Sequence, residues 1–341
     1  MDKEKYLYEL ETALREAGKS GHYILACLNY ATRLINCNLP VIFDLRHLAL
    51  LIGIEPSDLG KILYLSDIYL YRKTTIPKKS GGERNLLIPS ISLKYIQSWI
   101  LNNILYNIPI SQETNGFCKG KSIVSNAEKH LGKECLVNID IKDFFPTISI
   151  KQVFRIFIYY GYTKELSYIL AKLCTFEGRL PQGSPASPYI SNIVSLKLDK
   201  RLSKLSVKYN ADYSRYADDI TFSGPKNLKN ILPIAEKIIN EEGFIINESK
   251  TRISYRHQRQ SVTGLIVNGQ EVKISKYFKR QLQSEIYFCK KFGVSEHQKR
   301  CNDNHNFYKE HIYGKAYFVN MVEPELAKRL LAQLDEIDWD Y

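Results

Sequence analysis

The sequence predicts an α+β fold: a small antiparallel sheet, backed by helices, that carries a group of carboxylates. Three observations predict it. Residues 213–222 alternate aromatic and β-branched side chains around Asp218-Asp219, the pattern of two short strands meeting at a tight turn. Residues 135–141 form an apolar run interrupted only by Asn138 and Asp140, the pattern of a buried strand. Both ends of the chain carry apolar residues at three-to-four spacing, such as Tyr6, Leu7, Leu10 and Leu14, which is helical.

Composition narrows the class. The 341 residues carry a net charge of +12, which favours a polyanionic partner. Residues 250–315 hold 14 Lys/Arg against five Asp/Glu, so most of the excess lies in one segment, the electrostatic footprint of a nucleic-acid groove. Seven scattered cysteines with no C-x-x-C pair exclude a disulfide framework and a zinc ribbon. The charged start, Met1-Asp2-Lys3-Glu4-Lys5, has no apolar signal core, and no apolar run approaches the ~20 residues that span a bilayer. A cytoplasmic protein with no membrane partner is expected.

In chain order, residues 1–75 read as an N-terminal helical region with no chemical motif. Residues 76–84 read as a basic hairpin turning at Gly81-Gly82 and carrying Lys78, Lys79 and Arg84. A helix follows over about 91–106. Asn115-Gly116-Phe117-Cys118-Lys119-Gly120-Lys121-Ser122 has three residues between its glycines where a phosphate-binding P-loop needs four, so it stays a basic loop. Asp140 closes the buried strand, and an acid there is costly unless paired or bound to metal; Asp143 suits a cap of the following turn. Helices are predicted over 151–160 and 164–175. Then Leu180-Pro181-Gln182-Gly183-Ser184-Pro185 makes a stiff loop, of the kind that fixes functional geometry, leading into one long helix to about 209. An amphipathic helix over 228–242 continues through 243–251 into a strand. Residues 262–272 read as a hairpin turning at Asn268-Gly269, and the chain is helical from Lys276 on.

Antiparallel strands can bring Asp140, Asp218 and Asp219 together. Three acids in one place bind a pair of divalent ions ~4 Å apart, which activate an attacking oxygen and stabilise the leaving oxygen of a phosphoryl transfer. With basic hairpins for a triphosphate and a basic C-terminal region for a duplex, this describes a template-dependent nucleotidyl transferase.

The motifs carry a family resemblance. Tyr216-Ala217-Asp218-Asp219 resembles the Y-x-D-D box of reverse transcriptases, residues 138–145 their first catalytic strand, and residues 180–185 their nucleotide-site loop. Residues 243–250 and 262–265 resemble the two motifs that follow, all in family order. Asn126-Ala127-Glu128-Lys129-His130 and Val262-Thr263-Gly264 resemble the N-A-x-x-H and V-T-G elements of bacterial retron reverse transcriptases.

The resemblance implies a right-hand polymerase fold. Residues 76–260 would make fingers and palm, with residues 261–341 a mainly helical thumb that binds RNA and the template duplex. It implies catalytic Asp140, Asp218, Asp219 and Lys250, the lysine as general acid toward pyrophosphate. A two-ion Mg²⁺ site would be held by the three aspartates and the carbonyl of Ile141. The nucleotide would meet Lys79, Arg84, Asp143, Phe144, Phe145, Gln182 and Gly183, with Phe145 the steric gate against a ribose 2′-hydroxyl. Asn126, His130, Val262, Thr263 and Gly264 would contact RNA. The implied activity is RNA-directed DNA synthesis from deoxynucleotides, making single-stranded DNA (msDNA) on a structured non-coding RNA, primed by a guanosine 2′-hydroxyl. The implied partners are that RNA, its RNA–DNA hybrid product and a separate effector protein in anti-phage defence. Two alternatives stand beside this: a reverse transcriptase of the group II intron or diversity-generating type, and a non-catalytic RNA-binding protein that keeps the fold. The complete set of acids speaks against the second, because unused buried carboxylates are costly.

Overall fold

The computed structural model describes residues 2–77, 83–301 and 307–339. It is α+β, and the chain forms two compact units, each built from separated segments. The first comprises residues 1–117, 141–201 and 238–245; the second comprises 118–140, 202–237 and 246–341.

The first unit begins with five helices, Lys3–Glu16, Gly21–Asn36, Leu45–Ile52, Pro56–Tyr64 and Asp67–Leu70. Their ends follow local chemistry. Asp44 accepts the backbone N–H of His47 at the start of the third, and Gly53, at φ 82°, closes it in a left-handed turn. Two antiparallel strands follow, β1 (Tyr71–Pro77) and β2 (Glu83–Pro89), in a register that pairs Tyr71 with Pro89 and Pro77 with Glu83. Lys78, Lys79 and Gly81-Gly82 lie outside the described residues. The helices Ile91–Asn103, Ile150–Tyr160 and Lys164–Leu173 supply core residues such as Ile96, Ile100, Phe157 and Leu170. Gln97, fully buried, donates its Nε2 to the Tyr71 hydroxyl and the Leu173 carbonyl, which ties the helix Ile91–Asn103 to β1 and to the helix Lys164–Leu173.

The stiff loop at 180–185 is strapped to β2. The Leu87 N–H donates to the Gln182 carbonyl at 2.8 Å. Gly183, at φ 137°, lies so close to this strand that a Cβ there would sit 2.4 Å from the Leu87 oxygen. Glycine is therefore required on two counts, conformation and space. The helix expected to run to about 209 is two helices, Ser187–Val194 and Leu196–Lys208, interrupted at Ser195; nothing in the local sequence marks the break.

The second unit is built on a four-stranded antiparallel sheet, order β4-β5-β3-β6, with β3 Cys135–Asp140, β4 Asp212–Tyr216, β5 Asp219–Gly224 and β6 Arg252–Tyr255. Two expectations shift here. The strand expected to continue from 243–251 begins only at Arg252, because the chain first turns at Asn247, whose carbonyl accepts the N–H groups of Lys250 and Thr251. The chain does reverse at Asn268-Gly269 as expected, closed by the antiparallel pair Ile266 and Lys273, but a tighter turn at Thr263-Gly264 precedes it, between β7 (Ser261–Val262) and β8 (Leu265–Ile266). The Asn268 side chain accepts from Gln260 N–H and donates to the carbonyls of Arg256 and Gln258. Beyond this hairpin, the helices Lys276–Phe292, Val294–Cys301, Tyr308–Asn320 and Pro324–Asp335 share one apolar core with Ala127, Leu136, Val262 and Leu265. Half-buried ion pairs Lys279–Glu323 and Lys315–Glu285 join these helices and the segments between them. Among the described residues, no helix is long and apolar enough to cross a membrane.

Gly183→Ala should destabilise the protein by roughly 1–3 kcal/mol through backbone strain and collision with β2, read as a lowered urea midpoint; an unchanged midpoint would mean that β2 yields freely.

Candidate active site

Strand register builds the site. Antiparallel β3 and β5 set Asp140 directly opposite Asp219, and β4 sets Tyr216 opposite Asp219 from the other side. Directly paired residues share a face, so both carboxylates emerge on the same side of the sheet. Like charges in that relation repel. Asp140 is relieved by two donors: Asn247 Nδ2 at 3.0 Å and Lys250 Nζ at 3.1 Å. The Asn247 N–H also donates to the Asp140 carbonyl at 2.7 Å, which fixes the strand end. Asp219 is not relieved to the same degree. Loss of hydration, then the charges of Asp218 and Asp140, push its carboxyl up to about 7, against the pull of Lys250.

Asp218 lies in the turn between β4 and β5. Ala217 takes φ 56° there, a left-handed conformation that costs a residue with a Cβ. Arg215, fully buried, holds the turn, its Nη1 donating to the Ala217 carbonyl at 3.0 Å. The turn that presents the acids is thus fixed by the residue just before the Y-x-D-D box.

The carboxylates open onto a recess of about 440 Å³. Asp140, Asp219, Lys250 and Arg252 line it, and so do Thr263 and Gly264 of the V-T-G element. Thr263, at φ 47°, donates its hydroxyl to the Ile123 carbonyl at 3.2 Å. The other three residues expected to touch RNA are buried. Val262 packs in the core, Asn126 is 1% exposed, and His130 is fully enclosed. His130 engages Ser223 through Nδ1 and Ser214 through Nε2, both at 2.7 Å, which leaves its ring no free edge for RNA.

The donor chemistry suits a hard divalent cation: carboxylate oxygens with an excess of negative charge. Among the described residues no three acidic, histidine or cysteine side chains already form a metal cage. Lys250 supplies the positive charge at Asp140. Ile141, next in the chain, is buried.

Most of the expected nucleotide residues belong to the first unit. Asp143, exposed at φ 47°, precedes the short helix Phe144–Thr147. Phe144 is buried against Phe244, with ring centroids 5.4 Å apart. Phe145 is half-buried, between Phe144 at 5.5 Å and Phe117 at 6.4 Å. Arg84 is exposed on β2, and Gln182 lines a cavity of about 760 Å³ with Leu87 and Pro146. Lys79 lies outside the described residues.

Sequence reasoning missed Asn247, Arg215 and Phe117. Asn247 had a signal, an amide three residues after Phe244. An arginine that shares the face of the aromatic Tyr213 by alternation was a signal for Arg215. Phe117 was overlooked inside a loop read only for its glycines and lysines.

The profile of the family described as reverse transcriptase (RNA-dependent DNA polymerase) matches residues 76–279. The retron Ec86 reverse transcriptase of Escherichia coli is 33% identical over 316 residues, covering 91% of this chain and 94% of that protein. This chain belongs to the retron reverse transcriptases. The retron Mx162 reverse transcriptase of Myxococcus xanthus is 34% identical over 79% of this chain, which spans 61% of that longer protein. Among solved structures, a telomerase from Candida albicans in complex with a fragment of telomeric RNA aligns with TM-score 0.44 and 12% identity, over 82% of this chain and 61% of that one. As a retron reverse transcriptase, the protein is an RNA-directed DNA polymerase of the right-hand class, and Asp140, Asp218 and Asp219 fall on the motifs by which the sequence resembled that family.

His130 makes a pH signature. Burial holds its imidazole down at about 3, with Asp212 opposing and Lys129 and Lys133 adding to the depression. The unfolded chain takes up the proton near 6.5 and the native chain does not, so stability is present above that pH and lost as pH falls toward 3. Between pH 7.5 and pH 5 the loss should be about 2 kcal/mol. Urea unfolding at both pH values should show that part of the difference disappear in His130→Gln; an unchanged difference would place the titration elsewhere.

Proposed function

We propose that this enzyme is the polymerase of a retron, copying a structured non-coding RNA into single-stranded DNA (msDNA) primed by a guanosine 2′-hydroxyl within the same RNA. The observation that carries the reading is the pairing of Asp140 with Asp219 across two strands, beside the turn of Tyr216-Ala217-Asp218-Asp219.

Asp140 and Asp218 are the principal metal-binding acids, with Asp219 and the Ile141 carbonyl completing the set. Mg²⁺ ions held there would supply the Lewis acidity that activates the attacking hydroxyl and steadies the departing pyrophosphate. Lys250, whose ammonium is held beside Asp140, serves as the proton donor to pyrophosphate. Lys79 and Arg84 bind the triphosphate of the deoxynucleotide; Gln182 and Gly183 bind its sugar and phosphates, together with Asp143. Phe145, whose ring is supported by Phe144 and Phe117, is the steric gate against a ribose 2′-hydroxyl in this reading. Thr263 and Gly264, on the recess beside the acids, are the members of the V-T-G element placed to meet nucleic acid. The basic stretch 250–315 holds the RNA and the RNA–DNA hybrid. A separate effector protein acts with this complex against phage, in the cytoplasm.

Asp218→Asn should abolish DNA synthesis, a fall of at least roughly 10³-fold, while RNA binding by gel shift stays at the wild-type level; equal loss of both would contradict the assigned role. Phe145→Ala should admit ribonucleotides in primer extension, and unchanged sugar discrimination would remove it as the gate.

A further inference from the structure

The strand that leads into the catalytic turn is an edge strand of its sheet. β4 is five residues long and lies at the edge, so among the described residues it pairs with β5 alone. An edge strand paired on one side can twist or slide, and any movement of β4 displaces the turn that carries Asp218. The apolar face of the hairpin is packed: Tyr213, Ile220 and Phe222 are buried. The opposite face, which bears Asp219, is polar along its length, with Ser214 opposite Thr221 and Ser223 opposite Asp212.

His130 crosses that polar face. Its two nitrogens reach Ser214 on β4 and Ser223 on β5, each at 2.7 Å. The two serines are diagonal neighbours across the strands, so the imidazole opposes sliding as well as separation. In a neutral ring one nitrogen donates to one serine and the other accepts from the other hydroxyl. The base of this strut is fixed. His130 follows the helix Ile123–Glu128, its N–H donates to the Ala127 carbonyl, and Ala127 is buried in the core of the unit. Nearer the acids, Asn138 of β3 donates to the Thr221 hydroxyl at 3.2 Å, so the face is tied by hydrogen bonds on two levels. A fully satisfied buried network fixes one geometry where apolar contacts allow several.

We propose that His130 is a positioning residue of the polymerase: it sets the placement of the hairpin that delivers Asp218 and Asp219, and makes no contact with RNA. The histidine of the N-A-x-x-H element thereby acts on chemistry from farther along the same face of the hairpin that bears Asp219. The proposal rests on reading these acids as the polymerase carboxylates.

The test is single-turnover extension of a DNA primer on an RNA template, as a function of Mg²⁺, with active-site titration to count competent enzyme. Wild type is compared with His130→Ala, with the Ser214→Ala/Ser223→Ala double variant, and with all three changes combined. Ångström-scale misplacement of catalytic groups can cost on the order of 100-fold. The rate per active enzyme should therefore fall roughly 10- to 100-fold in His130→Ala, with the half-saturating Mg²⁺ raised and the deoxynucleotide KM and RNA affinity within about twofold. The serine variant, which keeps the ring and its packing, should lose rate in the same direction and serves alone if His130→Ala does not fold. The triple variant should be no slower than His130→Ala, because all three changes remove one linkage. Wild-type rate and Mg²⁺ dependence per active enzyme in the serine variant would overturn the proposal, as would a selective loss of RNA affinity in His130→Ala. If wild type itself made no DNA, the polymerase reading would fail, and the proposal with it, before any variant was compared.

Discussion

Two carboxylates facing each other across neighbouring strands are the constraint on which the second unit is organised. Asp140 and Asp219 are opposite by register, and no choice of side-chain rotamer removes that proximity. The structure answers it locally. Lys250 and Asn247 satisfy Asp140, while Asp219 stays short of compensation, its proton affinity raised into the neutral range. A site that concentrates negative charge beyond what its own cations balance is one suited to hold divalent ions and, through them, phosphates.

Holding such a site in place takes buried polar structure. Arg215 anchors the left-handed Ala217 that begins the turn, and its burial means that water does not compete for that hydrogen bond. Asn247 fixes the end of β3 through both backbone and side chain. Tyr216, Asp219 and the V-T-G residues Thr263 and Gly264 border one recess with Asp140. In the first unit the same principle is carried by backbone, where Gly183 lets β2 lie against the loop that begins Leu180-Pro181-Gln182. Rigid support behind reacting groups is what gives a polymerase reproducible geometry from one nucleotide to the next.

Much of this was legible in the sequence, and the reasons are physical. Strands β3 and β5 and the turn between β4 and β5 were readable because a short apolar run, period-two alternation and an acid pair at a tip are local signals. The helices at both ends showed in their three-to-four spacing. What could not be read depends on contacts between distant segments. The reversal at Asn268-Gly269 was readable, but not the tighter turn at Thr263-Gly264 before it, nor the bonds by which the Asn268 side chain ties the reversal to the backbone of 256–260. The strand after Gly243 started late because Asn247 is tied to Asp140. His130 was placed with RNA on motif resemblance alone; only the fold shows it enclosed between two serines. The carboxylates were found because their chemistry is costly wherever they lie, whereas a histidine has many cheap uses.

The account turns on whether this enzyme makes branched DNA on its own RNA. The most direct measurement is of the nucleic acid that copurifies when the protein is expressed with its native flanking DNA, digested with RNase and with DNase and sized. The account predicts one discrete single-stranded DNA joined to RNA through an RNase-resistant branch. RNA alone, even after deoxynucleotides and Mg²⁺ are supplied, would contradict it, and DNA of varied length without a branch would leave a polymerase that does not prime from a 2′-hydroxyl.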